Sequence, residues 1–127
     1  MNKKVKKSGK GKGRFYQPDR GDLIYLNFTP NAGTEQGGRR PALVLSPSEF
    51  NIATGLAAVC PITHQGKGSA FEVPLPRGAG VKGFVLSDHI RTLDWIARQA
   101  EFNSKASQEV MYEVLGRIEA ILCIEID

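Results

Sequence analysis

Two polar loops hold most of the side chains in this sequence that could carry out chemistry. The first loop, residues 29–38, offers a hydroxyl, a carboxylate and an amide, and two guanidinium groups follow it. The second loop, residues 63–69, offers a hydroxyl, an imidazole, an amide and an ammonium group. In chain order these side chains are Thr34, Glu35, Gln36, Arg39, Arg40, Thr63, His64, Gln65 and Lys67. Loops held by a rigid scaffold are frequent places for binding and catalysis, so these two form the candidate site.

This set of groups is compatible with RNA cleavage by the adjacent 2′-hydroxyl. That reaction needs a base for the 2′-OH proton, cations to stabilise charge on the pentacoordinate phosphorus, and an acid for the leaving 5′-oxygen. None of these tasks requires a metal. Composition alone leaves open that both loops are only solvated connections. A zinc site is not indicated, because Cys60, His64, His89 and Cys123 lack the spacing of zinc ligands.

The segments around the loops carry strand patterns. Ile24, Leu26 and Phe28 alternate with polar residues, which is typical of a half-buried strand. Short apolar runs before and after the loops indicate further strands, some of them fully buried. The predicted strands are residues 22–28, 42–45, 56–62, 70–75, 83–87 and 89–96. Both polar loops therefore leave from the ends of predicted strands.

Two segments carry helix signals instead. The apolar residues of segment 107–124 recur at helical spacing, and Ser107 is a suitable N-cap. A helical turn over Ser48–Thr54 is predicted to be capped by Ser46 or Ser48 and closed by Gly55. The predicted fold class is α+β, mainly β: a small, curled, mostly antiparallel sheet with a C-terminal α-helix on one face or end.

The positive charge of the chain is concentrated at its start. The 127 residues carry 17 Lys and Arg against 13 Asp and Glu, a formal charge of +4. Residues 1–14 hold seven of the basic groups and no acidic one, so the remainder has a net charge of −3. We predict a disordered Lys-rich tail over residues 1–16 and one domain over 17–127. The tail either keeps the protein soluble or adds phosphate contacts.

Cysteine usage and hydropathy indicate a reducing, aqueous compartment. The two cysteines, Cys60 and Cys123, form no C-x-x-C pair and are far too few for a disulfide scaffold. No apolar segment follows the basic N-terminal stretch, so it is not a secretory signal. The longest apolar run, residues 56–62, is far shorter than the roughly 20 residues that span a bilayer. We therefore expect a cytoplasmic protein with no membrane contact.

The literal sequence resembles the MazF/PemK family of toxins from about residue 18 to the C-terminal helix. The resemblance depends on the opening G-D-L-I and on the block E-Q-G-G-R-R-P-A-L-V-L-S, which are specific in order and spacing. The matching stretches are residues 21–25, 33–47, 50–51, 61–63, 83 and 87–94. The family implies an SH3-like barrel, a homodimer, and a sequence-specific, metal-independent endoribonuclease of the cytoplasm that needs no cofactor. It also implies an antitoxin partner whose disordered acidic segment occupies the substrate groove.

The resemblance also implies roles for individual residues. Arg40 matches the Arg before Pro-Ala and becomes the central catalytic residue, because its planar, permanently charged fork suits a phosphorane. Thr63 matches the catalytic Thr at the end of the third strand and would hold the scissile phosphate. Glu35 matches the Glu of the E-Q pair and would act as base or orient the 2′-OH. RNA contacts are expected from Thr34, Gln36, Arg39, His64, Lys67 and Asp88.

Some of these roles have alternatives. Asp88 matches an acid that some relatives use, but those relatives carry Arg two residues earlier, where this chain has Leu86. That departure favours a scheme based on Arg40 and Thr63. His64 either supplies acid–base or stacking capacity or is an ordinary loop histidine. Aromatic residues at strand spacing, Phe71, Phe84 and Trp95, either stack on unpaired bases or belong to the core.

The function predicted from these features is that of a toxin endoribonuclease acting on single-stranded RNA, mRNA above all. Attack by the 2′-OH would leave a 2′,3′-cyclic phosphate and a 5′-hydroxyl. Two alternatives come from other classes of protein. The first is a gyrase-poisoning toxin, since a gyrase-inhibitor family shares the implied fold. The second is a non-catalytic RNA-binding barrel whose affinity comes from the Lys-rich tail.

Overall fold

A computed structural model of the protein describes residues 16–28 and 38–123. These residues form two helices and seven strands, and all neighbouring strands of the sheet pair antiparallel. In chain order they are β1 (Asp22–Asn27), β2 (Arg39–Val44), α1 (Ser48–Thr54), β3 (Leu56–Thr63), β4 (Glu72–Pro74), β5 (Phe84–Leu86), β6 (Arg91–Asp94), β7 (Glu101–Lys105) and α2 (Gln108–Leu122). The predicted α+β class, mainly β with a C-terminal helix, is confirmed.

The strand order places β2 and β3 at the centre of the sheet. Neighbouring strands follow the order β4–β5–β3–β2–β1–β7, and β6 pairs with β3. One edge of β3 faces β2, while its other edge pairs first with β6 and then with β5. A strand that changes partner along its length bends the sheet, as a barrel-like curl requires.

Both faces of the central strands are buried. Successive side chains of a strand point to opposite faces. Leu43 and Cys60 therefore pack in one cluster, which α2 covers through Val110, Val114 and Ile118. Ala42 and Val59 pack in a second cluster, which includes Leu93 of β6 and Tyr16. This two-sided burial explains why segments 42–45 and 56–62 read as continuous apolar runs rather than alternating ones.

The structure differs from the sequence-based boundaries at several points. β7 was not predicted, and its sequence, EFNSK, has a single apolar residue. The predicted strands 70–75, 83–87 and 89–96 are each shorter. Ser107 caps α2 as predicted, with its hydroxyl accepting from Val110 N at 3.1 Å. Gly55 closes α1 in the left-handed conformation, but Pro47 occupies the N-cap without a side-chain hydrogen bond, so the predicted Ser cap is wrong.

The domain begins one residue earlier than expected. Tyr16, assigned to the tail, is only 5% exposed and stacks at an angle on Phe102. Its hydroxyl donates to the buried carboxylate of Asp22. The rest of the predicted disordered tail, residues 1–15, lies outside the described residues, and so do residues 29–37 and 124–127.

Candidate active site

Arg40, near the start of β2, and Thr63, at the end of β3, lie at the same end of the central antiparallel strand pair. β2 and β3 pair antiparallel with Ala42 opposite Pro61. The same register, continued by two residues, brings Arg40 opposite Thr63. Opposite residues share a face of the sheet, with Cβ atoms about 5 Å apart. This end of the strand pair thus carries both residues to which the resemblance assigns the central catalytic roles.

The Arg40 guanidinium is available to a ligand. Arg40 is exposed at the start of β2, opposite Leu26 of β1. Among residues 16–28 and 38–123, it has no hydrogen bond or ion pair with a side chain or a carbonyl group. A guanidinium carries five N–H donors in a fixed fork, and these match the oxygens of a phosphate group.

The Thr63 hydroxyl is held at the end of β3. Its Oγ1 accepts from Gln65 N at 3.3 Å, in the manner of a Ser/Thr turn, which leaves the hydroxyl proton free to be donated. On the other edge of β3, Thr63 pairs with Phe84 of β5. Thr63 and Phe84 therefore lie in one row, and the β2–β3 register, continued two residues, would add Arg40 to it.

Gly83 makes this row possible. Its φ is 130°, a backbone region that side chains rarely allow. A Cβ at this position would lie far inside van der Waals contact with the carbonyl oxygen of Thr63. The start of β5 can approach the end of β3 because the residue there is glycine.

The second polar loop, which contains His64 and Lys67, is anchored by a residue that sequence reasoning missed. Glu72 of β4 accepts from Lys67 N at 2.9 and 3.1 Å and from Gly68 N at 3.1 Å. Lys67 and His64 are both exposed. The one sequence signal for Glu72 was its place in a predicted strand just after a Gly-rich loop, which does not show where its carboxylate points.

Arg39 lies on the opposite face of β2 from Arg40. Its guanidinium donates to Gln99 O at 2.7 Å, to Tyr25 O at 3.2 Å and to the Asn27 side chain at 3.1 Å. It also forms an ion pair of 3.2 Å with Glu101. These contacts join β1, β2 and β7, so the structure gives Arg39 a role in holding strands together. Its contact with RNA stays a prediction.

Asp88 is exposed after β5, and its carboxylate lies 3.6 Å from His89 Nε2. No hydrogen bond or ion pair within the described part of the chain joins Asp88 to Arg40, Thr63 or Lys67.

Burial, together with the charge of Asp88, raises the pKa of the Cys60 thiol to about 12. Cys60 therefore stays protonated at neutral pH and is not a nucleophile.

Three predicted site residues, Thr34, Glu35 and Gln36, lie outside the described residues. The described ends of their loop meet, because Phe28 N donates to Gly38 O at 3.5 Å. Both ends adjoin the strand end that carries Arg40. The described part of the site supplies two cations and a hydroxyl, which can bind a phosphodiester and stabilise charge on it.

Comparison with known proteins gives consistent similarities. Residues 19–122 match the model of a family described as PemK-like, MazF-like toxin of type II toxin–antitoxin system. The chain is 39% identical over 107 residues to the endoribonuclease toxin MazF of Escherichia coli K12, covering 84% of this chain and 96% of that protein. It is 38% identical over 109 residues to the Escherichia coli endoribonuclease PemK, covering 82% of this chain and 81% of that protein.

Solved structures agree. A chain from a MazE–MazF crystal structure of Deinococcus radiodurans is 54% identical, with a TM-score of 0.81, and covers 87% of this chain and 99% of that one. A mycobacterial endoribonuclease in complex with its cognate antitoxin, at 19% identity, has a TM-score of 0.69 over 87% of this chain and 99% of that one, which shows the fold alone. In the described part of the protein, no helix is long and apolar enough to cross a membrane.

Proposed function

The chain belongs to the PemK-like, MazF-like toxins of type II toxin–antitoxin systems, whose relatives named above are endoribonucleases, and from this membership we propose that it cuts single-stranded RNA with Arg40 and Thr63. The observation that supports the proposal is the antiparallel pairing of β2 and β3, whose register, continued two residues beyond Ala42 and Pro61, would set Arg40 opposite Thr63. The exposed guanidinium beside a held hydroxyl is suited to a phosphodiester.

The proposed reaction is a transesterification within the RNA chain. The 2′-oxygen attacks phosphorus while the bond from phosphorus to the 5′-oxygen breaks. The proton of the 2′-OH passes to a base, which we assign to Glu35, and the leaving 5′-oxygen takes a proton. The products are a 2′,3′-cyclic phosphate and a 5′-hydroxyl. A short sequence motif in the RNA, read by the loops, selects the site of cleavage.

Each cation and hydroxyl has a separate task in this scheme. Arg40 stabilises the negative charge that grows on the phosphoryl oxygens, and we also assign to it the proton that the leaving 5′-oxygen takes. Thr63 donates its hydroxyl hydrogen to a phosphate oxygen. Lys67 contacts a flanking phosphate. Thr34, Gln36, His64 and Asp88 are assigned to contacts with the RNA.

The partners follow from the same family. A chain of a MazE–MazF complex is among the similar structures, so we assign this protein an antitoxin partner whose acidic segment blocks the cationic site. We also propose that it acts in the cytoplasm on mRNA, as a homodimer. Arg40 and Lys67 are the cations that an acidic segment would neutralise.

The experiment that tests the proposal uses the full chain, single-stranded RNA and a chelator. The wild type is expected to cut the RNA and leave a cyclic phosphate and a 5′-OH. Arg40→Ala should lower the rate roughly a hundredfold or more, the usual loss when one donor to a developing charge is removed. Arg40→Lys should recover little, because it keeps the charge and loses the fork.

A matched control removes an arginine elsewhere. Arg77→Ala, in the exposed turn between β4 and β5, should cut RNA at the wild-type rate. Absence of cleavage by the wild type, or an undiminished rate in Arg40→Ala, would overturn the mechanism. RNA binding without cleavage would favour the non-catalytic barrel, and inhibition of DNA supercoiling would favour the gyrase poison.

A further inference from the structure

We propose that Glu72 is a positioning residue of the cleavage site, whose carboxylate holds the loop after β3 so that Lys67 meets an RNA phosphate. This inference rests on the proposed function, because it needs RNA as the ligand. Glu72 has no described contact with Arg40 or Thr63 and acts through the loop backbone.

The first observation is the set of hydrogen bonds. Both carboxylate oxygens lie within hydrogen-bonding distance of Lys67 N, at 3.1 and 2.9 Å, and Oε1 also accepts from Gly68 N at 3.1 Å. Two successive amides therefore point at one anion. Hydrogen bonds to an ionised acceptor are roughly twice as strong as neutral ones. The backbone on either side of the Lys67 side chain is held at one place.

The second observation is the close packing of Gly66. A Cβ at Gly66 would lie 2.8 Å from Glu72 Oε1 and 3.0 Å from the Phe84 ring. The loop thus rests directly on Glu72 and Phe84 and leaves no room for a side chain between them. Phe84 is the residue that pairs with Thr63, so the same support carries the loop and adjoins the candidate catalytic row.

The register of β4 and β5 connects the two observations. Pro74 lies opposite Phe84, and Glu72 lies opposite Leu86. Glu72 and Phe84 are therefore diagonal neighbours on one face of this strand pair. A short edge strand thereby delivers a carboxylate to the loop that follows Thr63.

Because Glu72 is acidic, the positioning role and simple charge repulsion predict opposite changes in RNA affinity when it is removed. An acidic residue beside an RNA site is expected to repel phosphate, so simple charge counting predicts that its removal strengthens binding. A carboxylate that fixes the position of Lys67 has the opposite effect, because a loop that is not held must be ordered on binding. Removal of Glu72 should then weaken binding.

The test measures affinity for a mixed-sequence RNA with 2′-O-methyl groups throughout, which cannot be cut, as a function of salt concentration. Lys67→Ala is expected to weaken binding about fivefold and to reduce the salt slope by about 0.7, the value for one lost phosphate contact on a single strand. Glu72→Ala should do the same despite removing a negative charge. The double variant should bind no more weakly than Lys67→Ala alone.

Two further variants separate positioning from charge. Glu72→Gln, which keeps an acceptor for the two amides, should restore part of the affinity. Glu119→Ala, the same loss of charge on the exposed face of α2, should leave the affinity and the slope at their wild-type values. Thermal melts confirm that each variant is folded.

The outcomes distinguish this inference from the proposed function. Affinity equal to or tighter than that of the wild type in Glu72→Ala, with an unchanged salt slope, would overturn the positioning role. Loss of kcat/KM on cleavable RNA in both Glu72→Ala and Lys67→Ala would support it further. Failure of the wild type to cut any RNA would instead refute the proposed function, while the binding series still decides the role of Glu72.

Discussion

Around Thr63, the candidate site depends on how closely two backbones approach each other. Gly83 precedes β5 at a φ of 130°, and a Cβ there would run into the carbonyl oxygen of Thr63. Phe84, the next residue, pairs with Thr63. The absence of a Cβ at Gly83 thus allows β5 to approach the end of β3 closely.

Gly83→Ala is expected to damage both stability and cleavage. A strained φ lowers the free energy of unfolding by an amount of order 1–3 kcal/mol. The clash with the Thr63 carbonyl oxygen adds to this loss and moves Thr63 away from Arg40. We expect a loss of about 2–4 kcal/mol in the free energy of unfolding, measured in urea, and at least about a tenfold drop in cleavage rate.

Gly78→Ala is the matched control. Gly78 also has a positive φ, 93°, but no heavy atom of the described residues lies within 4 Å of a Cβ built there. It should lose about 1 kcal/mol of stability and keep its cleavage rate. Equal effects of the two substitutions on cleavage would show that the contact with Thr63 does not matter.

Single residues also show which parts of the site could be read from the sequence. Arg40 and Thr63 could be selected as candidates, because a literal motif marks each one and they lie where one apolar strand begins and the next one ends. Glu72 could not be found, because its partners are the backbone amides of Lys67 and Gly68, and backbone amides leave no mark in a sequence. Arg39 and Arg40 are the same residue type, but successive residues of a strand point to opposite faces of the sheet.

Among the secondary-structure elements, Arg39 ties three strands together. Its guanidinium reaches the carbonyl of Tyr25 in β1, the carbonyl of Gln99 and the carboxylate of Glu101 in β7. β7 is the edge strand of the sheet, and its pairing with β1 contains a register shift between Leu23 and Ile24. Because this pairing is irregular, the contacts of the Arg39 side chain stabilise the edge strand β7 against β1.

Arg39→Ala is therefore expected to act on stability rather than on chemistry. Several hydrogen bonds to a half-exposed charged group sum to about 1–2 kcal/mol, and urea denaturation measures that loss. Arg40→Ala, one residue along, should unfold like the wild type. If Arg39→Ala folds but loses most of its affinity for RNA, the predicted contact of Arg39 with RNA would be supported.

The elements that sequence reasoning missed have a common physical cause. β7, with the sequence EFNSK, has no apolar alternation because it lies at the sheet edge, where its pairing with β1 substitutes for burial of side chains. At the N-terminus of α1, Ser48 N donates to the Asp19 carboxylate at 2.9 Å, and the Asn51 side chain donates to Pro18 O and Ser46 O at 2.9 and 3.0 Å. Tertiary contacts of this kind override local propensity.

At the scale of the whole molecule, charge divides the chain into two parts. Residues 1–14 carry seven basic groups, and the remainder has a net charge of −3. The candidate site has its own cations, Arg40 and Lys67. The charge of the tail and the chemistry of the site are therefore separable.

Removal of residues 1–14 should weaken binding to uncut RNA and make its salt dependence shallower. Each phosphate contact on a single strand contributes about 0.7 to the slope, so seven basic groups bound to phosphate would contribute about 5. The cleavage rate at saturating RNA should stay at the wild-type value. An unchanged slope would leave the tail with a solubilising role, and a lost rate would show that the tail takes part in catalysis.

The placement of Arg40 and Thr63 on the two central strands has an evolutionary consequence. The central residues of β2 and β3 pack into one or the other of two cores, so a substitution there disturbs the core that its side chain faces. The polar loop at residues 63–69 begins at the end of β3, and loops tolerate replacement and insertion. Under the proposed function, descendants of such a protein can acquire new RNA targets through changes in this loop while they keep the proposed catalytic pair.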